Sequence, residues 1–126
     1  MSSVLTKTTI VPASGNKLKN RIIAAENVPI YTVITYKGNL ADSSNTAHRT
    51  VIAGITKEAI NNTFSGSVVT EGEIENSSWT WTKGDNLFLN GTALSTTPPS
   101  TGFVIKIGEA MSATKIFVRI TESILL

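Results

Sequence analysis

With 126 residues and no cysteine, the chain is long enough for one ordinary domain and excludes a disulfide framework, a thiolate nucleophile and a thiolate metal site. Ser, Thr and Asn together number 13, 18 and 10, against only 16% charged residues, a balance that suits pleated strands and turns better than helical surfaces built from Glu, Lys, Gln and Arg. The net charge of +2 is uneven: residues 1–25 hold Lys7, Lys17, Lys19 and Arg21 against no acid, and residues 26–126 hold seven basic and nine acidic side chains.

Residues 1–25, with Pro12, Ser14-Gly15-Asn16 and apolar Val4, Leu5, Ile10 and Val11 in no sustained period, are expected to form an extended N-terminal arm. Residues 26–126 are expected to form one β domain. Val28 to Tyr36 is rich in Val, Ile, Thr and Tyr and predicts a strand whose start is marked by Pro29; Lys37-Gly38-Asn39 turns it. Ala41 to Thr46 is a loop by composition, and Arg49 to Ile55 resumes the strand pattern up to Gly54. Thr56 is placed to cap a short helical turn over Lys57 to Ile60, stopped by Asn61-Asn62. Ser67 to Thr70 predicts a short strand closed by Glu71-Gly72. Ser78 to Thr82 predicts an alternating one with Trp79 and Trp81 on one face. After the turn Lys83 to Asn86, Leu87 to Leu89 is a brief buried strand ended by Asn90-Gly91. Pro98-Pro99 interrupts the ladder, and Phe103 to Ile107 and Lys115 to Ile120 follow as strands joined through Gly108. Seven or eight short strands spaced by about ten residues give an all-β sandwich or barrel with at most one short helix.

A search for chemistry finds little. Four cations spread through an arm fall short of the dense basic face that nucleic acid needs. No run approaches the ~20 apolar residues of a membrane span, and no signal-peptide h-region is present, so a soluble protein made without a Sec signal is expected. His48 is the single histidine and sits at a strand entrance; a role in stabilising a turn is expected rather than catalysis. Phosphate-cradling glycine motifs and a G-x-S-x-G elbow are absent, and no nucleotide or other cofactor is expected. Glu71, Glu73 and Glu75 share one face of an extended segment, which costs stability unless a cation or another group compensates. Trp79 and Trp81, with Tyr31 and Tyr36, could form a stacking platform for a sugar or base, but two tryptophans on one face more often anchor a core or interface. The partner-contact candidates are therefore Lys7, Lys17, Lys19 and Arg21 of the arm together with Trp79 and Trp81.

One set of residues carries a resemblance. Ala41-Asp42 precedes His48-Arg49-Thr50-Val51-Ile52-Ala53-Gly54-Ile55, then come Gly66-Ser67-Val68-Val69 with Gly72, and Trp79-Thr80-Trp81. Gly84-Asp85-Asn86-Leu87-Phe88-Leu89 with Gly91, Leu94 and Pro98-Pro99 follow, and Ile107-Gly108-Glu109-Ala110-Met111-Ser112 with Ile116-Phe117-Val118 close the series. This pattern, over about residues 40–126, resembles the small β domains of tailed-bacteriophage virion proteins that decorate or cement heads, and the related tip or adaptor domains of tails and baseplates. Its glycines at 54, 72, 84, 91 and 108 are expected to supply positive φ at corners. The resemblance implies a structural virion part without enzyme activity, commonly a homotrimer, assembled in the host cytoplasm. A head-decoration protein would have the major capsid protein as partner, with neither nucleic acid nor membrane; a tail-fibre or baseplate adaptor, with the tryptophans on a receptor sugar, is the alternative. It carries over no functional residue.

Overall fold

The computed structural model describes residues 20–126. Among them eleven short strands occur: β1 Arg21–Ile23, β2 Val33–Thr35, β3 Ile52–Thr56, β4 Ser65–Val69, β5 Glu71–Glu75, β6 Asn86–Asn90, β7 Ala93–Ser95, β8 Phe103–Val104, β9 Lys106–Ala110, β10 Lys115–Arg119 and β11 Ile124–Leu125. All pairings are antiparallel. They make a four-stranded sheet in the order β1-β4-β3-β2, a five-stranded sheet β5-β10-β9-β6-β7 and the small pair β11-β8. None of the sheets closes on itself, so of the two expected all-β architectures the open, sandwich-like one is present.

The main core lies between the two large sheets. Val33, Ile52, Ile55 and Val69 come from the four-stranded sheet and meet Ile74, Leu87, Leu89, Ile107, Ile116 and Val118 of the five-stranded one, with Phe103 and Ile105 between. Phe103, Ile105 and Ile107 are buried, as are Ile116 and Val118, with Ile120 half-buried beside them. A second cluster covers the opposite face of the four-stranded sheet, where Ile22, Ile34, Ala53 and Val68 pack under Ala24, Val28 and Ile60. As a result β3 is buried at every position, whereas β10 alternates between buried and accessible positions.

The structure corrects several sequence expectations. Of the expected arm, residues 1–19 lie outside the described residues, and its last residues pack on the β domain: β1 pairs with β4 through Arg21–Ser67, Ile22–Gly66 and Ile23–Ser65, and Ala24 is buried. The expected strand from Val28 to Tyr36 shrinks to β2. The Thr56 hydroxyl donates to Pro29 O (2.8 Å) and accepts from Thr32 N (3.0 Å), which holds residues 29–32 in a turn with Tyr31 at φ 61°. That same use of Thr56 removes it as a helix cap, and residues 57–60 form no helix. A short 3-10 turn runs over Thr46–His48, starting at the last residue of the segment expected as loop, where Asn45 Oδ1 accepts the Ala47 amide (3.0 Å). Glu71-Gly72 does not close a strand but opens β5, and residues 78–82 carry no strand ladder. Gly54 and Gly108 lie within strands instead of at corners: a Cβ on Gly54 would run into the carbonyl of Val69 on β4, and one on Gly108 into that of Phe117.

Candidate functional site

Of the four cationic contact candidates, Lys7, Lys17 and Lys19 lie outside the described residues, and Arg21 sits on β1. Its guanidinium donates to Ser67 Oγ (3.2 Å), Ser65 O (3.2 Å) and Ser65 Oγ (3.1 Å), with Glu58 Oε2 at 4.0 Å. Glu58 in turn accepts the Ser67 amide (2.8 Å), and this bond, aided by the Ser67 hydroxyl and Arg21, holds its carboxyl below the usual carboxylate range. Arg21 is thus a brace across the β1–β4 pairing.

Trp79 and Trp81 lie on the connection between β5 and β6, held by bonds from Trp79 N to Asn76 O (3.0 Å) and from Trp81 N to Ala113 O (2.9 Å). Their rings are tilted at a centroid separation of 6.0 Å, and Tyr31 stands 5.3 Å from Trp79. All three are half-buried and pack against the main core, so the trio links the turn before β2 to the connection between β5 and β6. A stacking platform presents open ring faces, whereas these rings spend much of their surface on one another and on the core. Tyr36 is exposed and takes no part. Trp81 Nε1 is buried without a hydrogen-bond partner, the one such side-chain atom among the described residues.

Glu71, Glu73 and Glu75 do share the exposed face of β5, and β10 supplies what offsets their repulsion. Arg119 stands opposite Glu71 and Lys115 opposite Glu75, with Lys115 Nζ 3.5 Å from Glu73 Oε1. Thr114 Oγ1 donates to Glu75 Oε2 (3.1 Å), and the Arg119 guanidinium lies 5.3 Å from the Phe117 ring centroid. Among the described residues no cluster of His, Cys, Asp or Glu is arranged to hold a metal ion. Cross-strand cations meet the need that the sequence left open between a metal and another group.

His48 serves the turn that contains it. Its Nδ1 accepts the Asp42 amide (3.1 Å), while Asp42 Oδ1 accepts the Ser44 amide (2.9 Å) and hydroxyl (2.7 Å). The Ser44 amide foremost, then its hydroxyl, holds the Asp42 carboxyl below its ordinary value. Next to it the buried Ser43 accepts the Gly91 amide on its Oγ (2.7 Å) and donates its own amide to Gly91 O (2.9 Å), tying this loop to the β6–β7 turn.

Two features of the surface escaped the sequence reading. Ile23 (67% exposed), Phe64 (64%), Ile124 (64%), Leu125 and Leu126 (both 56%) stand out as large apolar side chains in water. The terminal run Ile124-Leu125-Leu126 was a visible signal; Ile23 was hidden by being counted with the arm. The second feature is a groove of about 340 Å3 whose lining includes Asn20, Arg21, Lys57, Val69, Glu71 and Glu73, where the described chain begins beside β5. No family model matches the chain, and neither a curated protein nor a solved structure matches it.

Proposed function

We propose that this protein is a bacteriophage head-decoration, or cement, protein: a non-catalytic virion part, acting as a homotrimer, that attaches to the major capsid protein and stabilises the assembled head. The observation that supports this reading is how the side chains are employed. The groups that chemistry would recruit, Arg21, Asp42, His48 and Glu58, are engaged in bracing strands and turns, while large apolar side chains at Ile23, Phe64 and Ile124 to Leu126 face solvent. A body that attaches by surface needs the second and has no use for the first.

Purified chain added to expanded empty heads is expected to co-sediment with them and to raise their melting temperature. Lack of co-sedimentation overturns the decoration reading. Recovery of the chain from tail fractions at tens of copies or fewer would replace it with the tail or baseplate adaptor role.

A further inference from the structure

The chain contains one Asn-Gly pair, Asn90-Gly91, and it stands where β6 turns into β7. This dipeptide carries its own chemistry. The Gly91 nitrogen, once hydroxide has taken its proton, can form a bond to Asn90 Cγ. The bond from Cγ to Nδ2 then breaks, and Nδ2 takes up a proton from water and leaves as ammonia, which closes a cyclic imide. Water opens the imide at either carbonyl to give an aspartyl or an isoaspartyl residue. Glycine in the following position favours ring closure, because it has no Cβ to crowd the ring. The step is intramolecular, so its rate follows how often nitrogen and carbon come within reach.

The groups that react are restrained in the folded chain. The Gly91 amide donates to Ser43 Oγ (2.7 Å), and the Gly91 carbonyl accepts the Ser43 amide (2.9 Å). Ser43 is buried, and its own carbonyl accepts the Phe103 amide (3.1 Å), so this clamp is anchored to β8. Asn90 Nδ2, the departing nitrogen, donates to Thr97 O (3.1 Å). Asn90 also ends the extended backbone of β6 and pairs with Ala93, whereas ring closure needs the Gly91 nitrogen to swing back over the Asn90 side chain. Both residues are half-buried, so water and hydroxide reach them once the corner opens.

We propose that Asn90-Gly91 is a latent deamidation site, kept closed by the Ser43 clamp and exposed when residues 42–48 release locally from the β6–β7 turn. The product alters the fold where it forms. Residues 86–105 carry no charged side chain, so the new carboxylate is the first charge in that stretch. An isoaspartyl residue also lengthens the backbone by a methylene at the Asn90–Ala93 pair, which closes the hairpin. β7, paired with β6 alone, is the strand that loosens.

Peptide mass spectrometry of the full chain, incubated folded in mildly alkaline buffer, measures conversion at Asn90, and the chain unfolded in guanidinium chloride sets the unrestrained rate. Folded wild type is expected to convert at least about tenfold more slowly, the factor that a single buried hydrogen bond commands, and Ser43→Ala to quicken folded conversion by about that factor. Amide exchange of Val118 in β10, followed on the same samples, separates local from global opening and is expected to stay unchanged in Ser43→Ala. Equal rates in folded and unfolded wild type overturn the proposal. So does an unchanged rate in Ser43→Ala, or a rise that Val118 matches. A second measurement needs no variant: in folded wild type at low denaturant, conversion through local opening stays nearly flat, whereas conversion through global unfolding climbs steeply. A steep climb from the lowest concentrations overturns local release. None of these results bears on head binding, so this inference and the decoration role fail independently.

Discussion

The two large sheets bury apolar surface by different rules. In the five-stranded sheet one face is core and the other is solvent: Ile74, Ile116 and Val118 point in, while Glu71, Glu73, Glu75 and Arg119 point out, and the backbone ladder does most of the holding. In the four-stranded sheet β3 is enclosed on both faces, by the main core and by the second cluster, and its last residue, Thr56, is bonded through its hydroxyl to the backbone of Pro29 and Thr32. A one-sided sheet writes itself into sequence as alternation. A two-sided one loses that alternation and depends on the segments that cover it, here Ala24, Val28 and Ile60.

Ile34→Ala gives the strongest test of this contrast. Ile34 is fully buried in the second cluster, so its truncation is expected to cost about 2–5 kcal/mol in urea unfolding. Phe117, half-buried on the outer face of the five-stranded sheet, is expected to lose less when changed to Ala. If Ile34→Ala proves the milder of the two, the second cluster is not a core and the contrast collapses.

A middle-sized effect is expected at Thr56. Thr56→Val keeps the shape and removes a hydroxyl that serves both Pro29 O and Thr32 N, leaving two polar groups without a partner, at a cost of about 1–3 kcal/mol. Because these bonds hold the turn that carries Tyr31 against Trp79, tryptophan fluorescence of the folded variant should change as well. A stability loss with an unaltered emission spectrum would mean that the turn survives without the hydroxyl.

This same residue shows why the sequence was legible in one half and less so in the other. Thr56 follows Ile52 to Ile55 and precedes Lys57-Glu58-Ala59-Ile60, a position that local rules assign to a helix cap. Its partners are Pro29 and Thr32, 27 and 24 residues away, a distance over which local preference says nothing. The strand over Val28 to Tyr36 failed for the same cause. By contrast β6 and β10 stand where alternation and turn residues put them, because β6 pairs with β7 across Asn90-Gly91 and β10 with β9 across residues 111–114, whereas the strand expected over Phe103 to Ile107 divides into β8 and a β9 that runs on through Gly108. The candidate contacts divide likewise. Charge counting drew attention to Arg21, yet its true partners Ser65, Ser67 and Glu58 become neighbours only through the β1–β4 pairing. The acidic row of β5 was read correctly as a single face, but its counter-charges on β10 lie about forty residues onward and could not be assigned before the register was known.

The smallest effect, and the one that separates side-chain from backbone support most cleanly, is acid loosening of the Asp42 corner. The Asp42 carboxyl is held below its ordinary value of 3.8, first by the Ser44 amide, then by the Ser44 hydroxyl, with His48 adding to it. A carboxyl lowered by folding contributes stability that is complete above its unfolded value and disappears as pH falls through the lower folded value. Below about pH 4 the Ser44 amide should therefore lose its hydrogen-exchange protection and shift its NMR resonance before the amides of β10 respond, since those are bonded to backbone carbonyls that do not titrate. Asp42→Asn retains an acceptor oxygen for Ser44 and removes the charge, so the corner should keep its geometry at neutral pH and lose its acid sensitivity. An identical acid response in Asp42→Asn would assign the transition to another carboxylate and leave the corner no more dependent on side-chain charge than the ladder is.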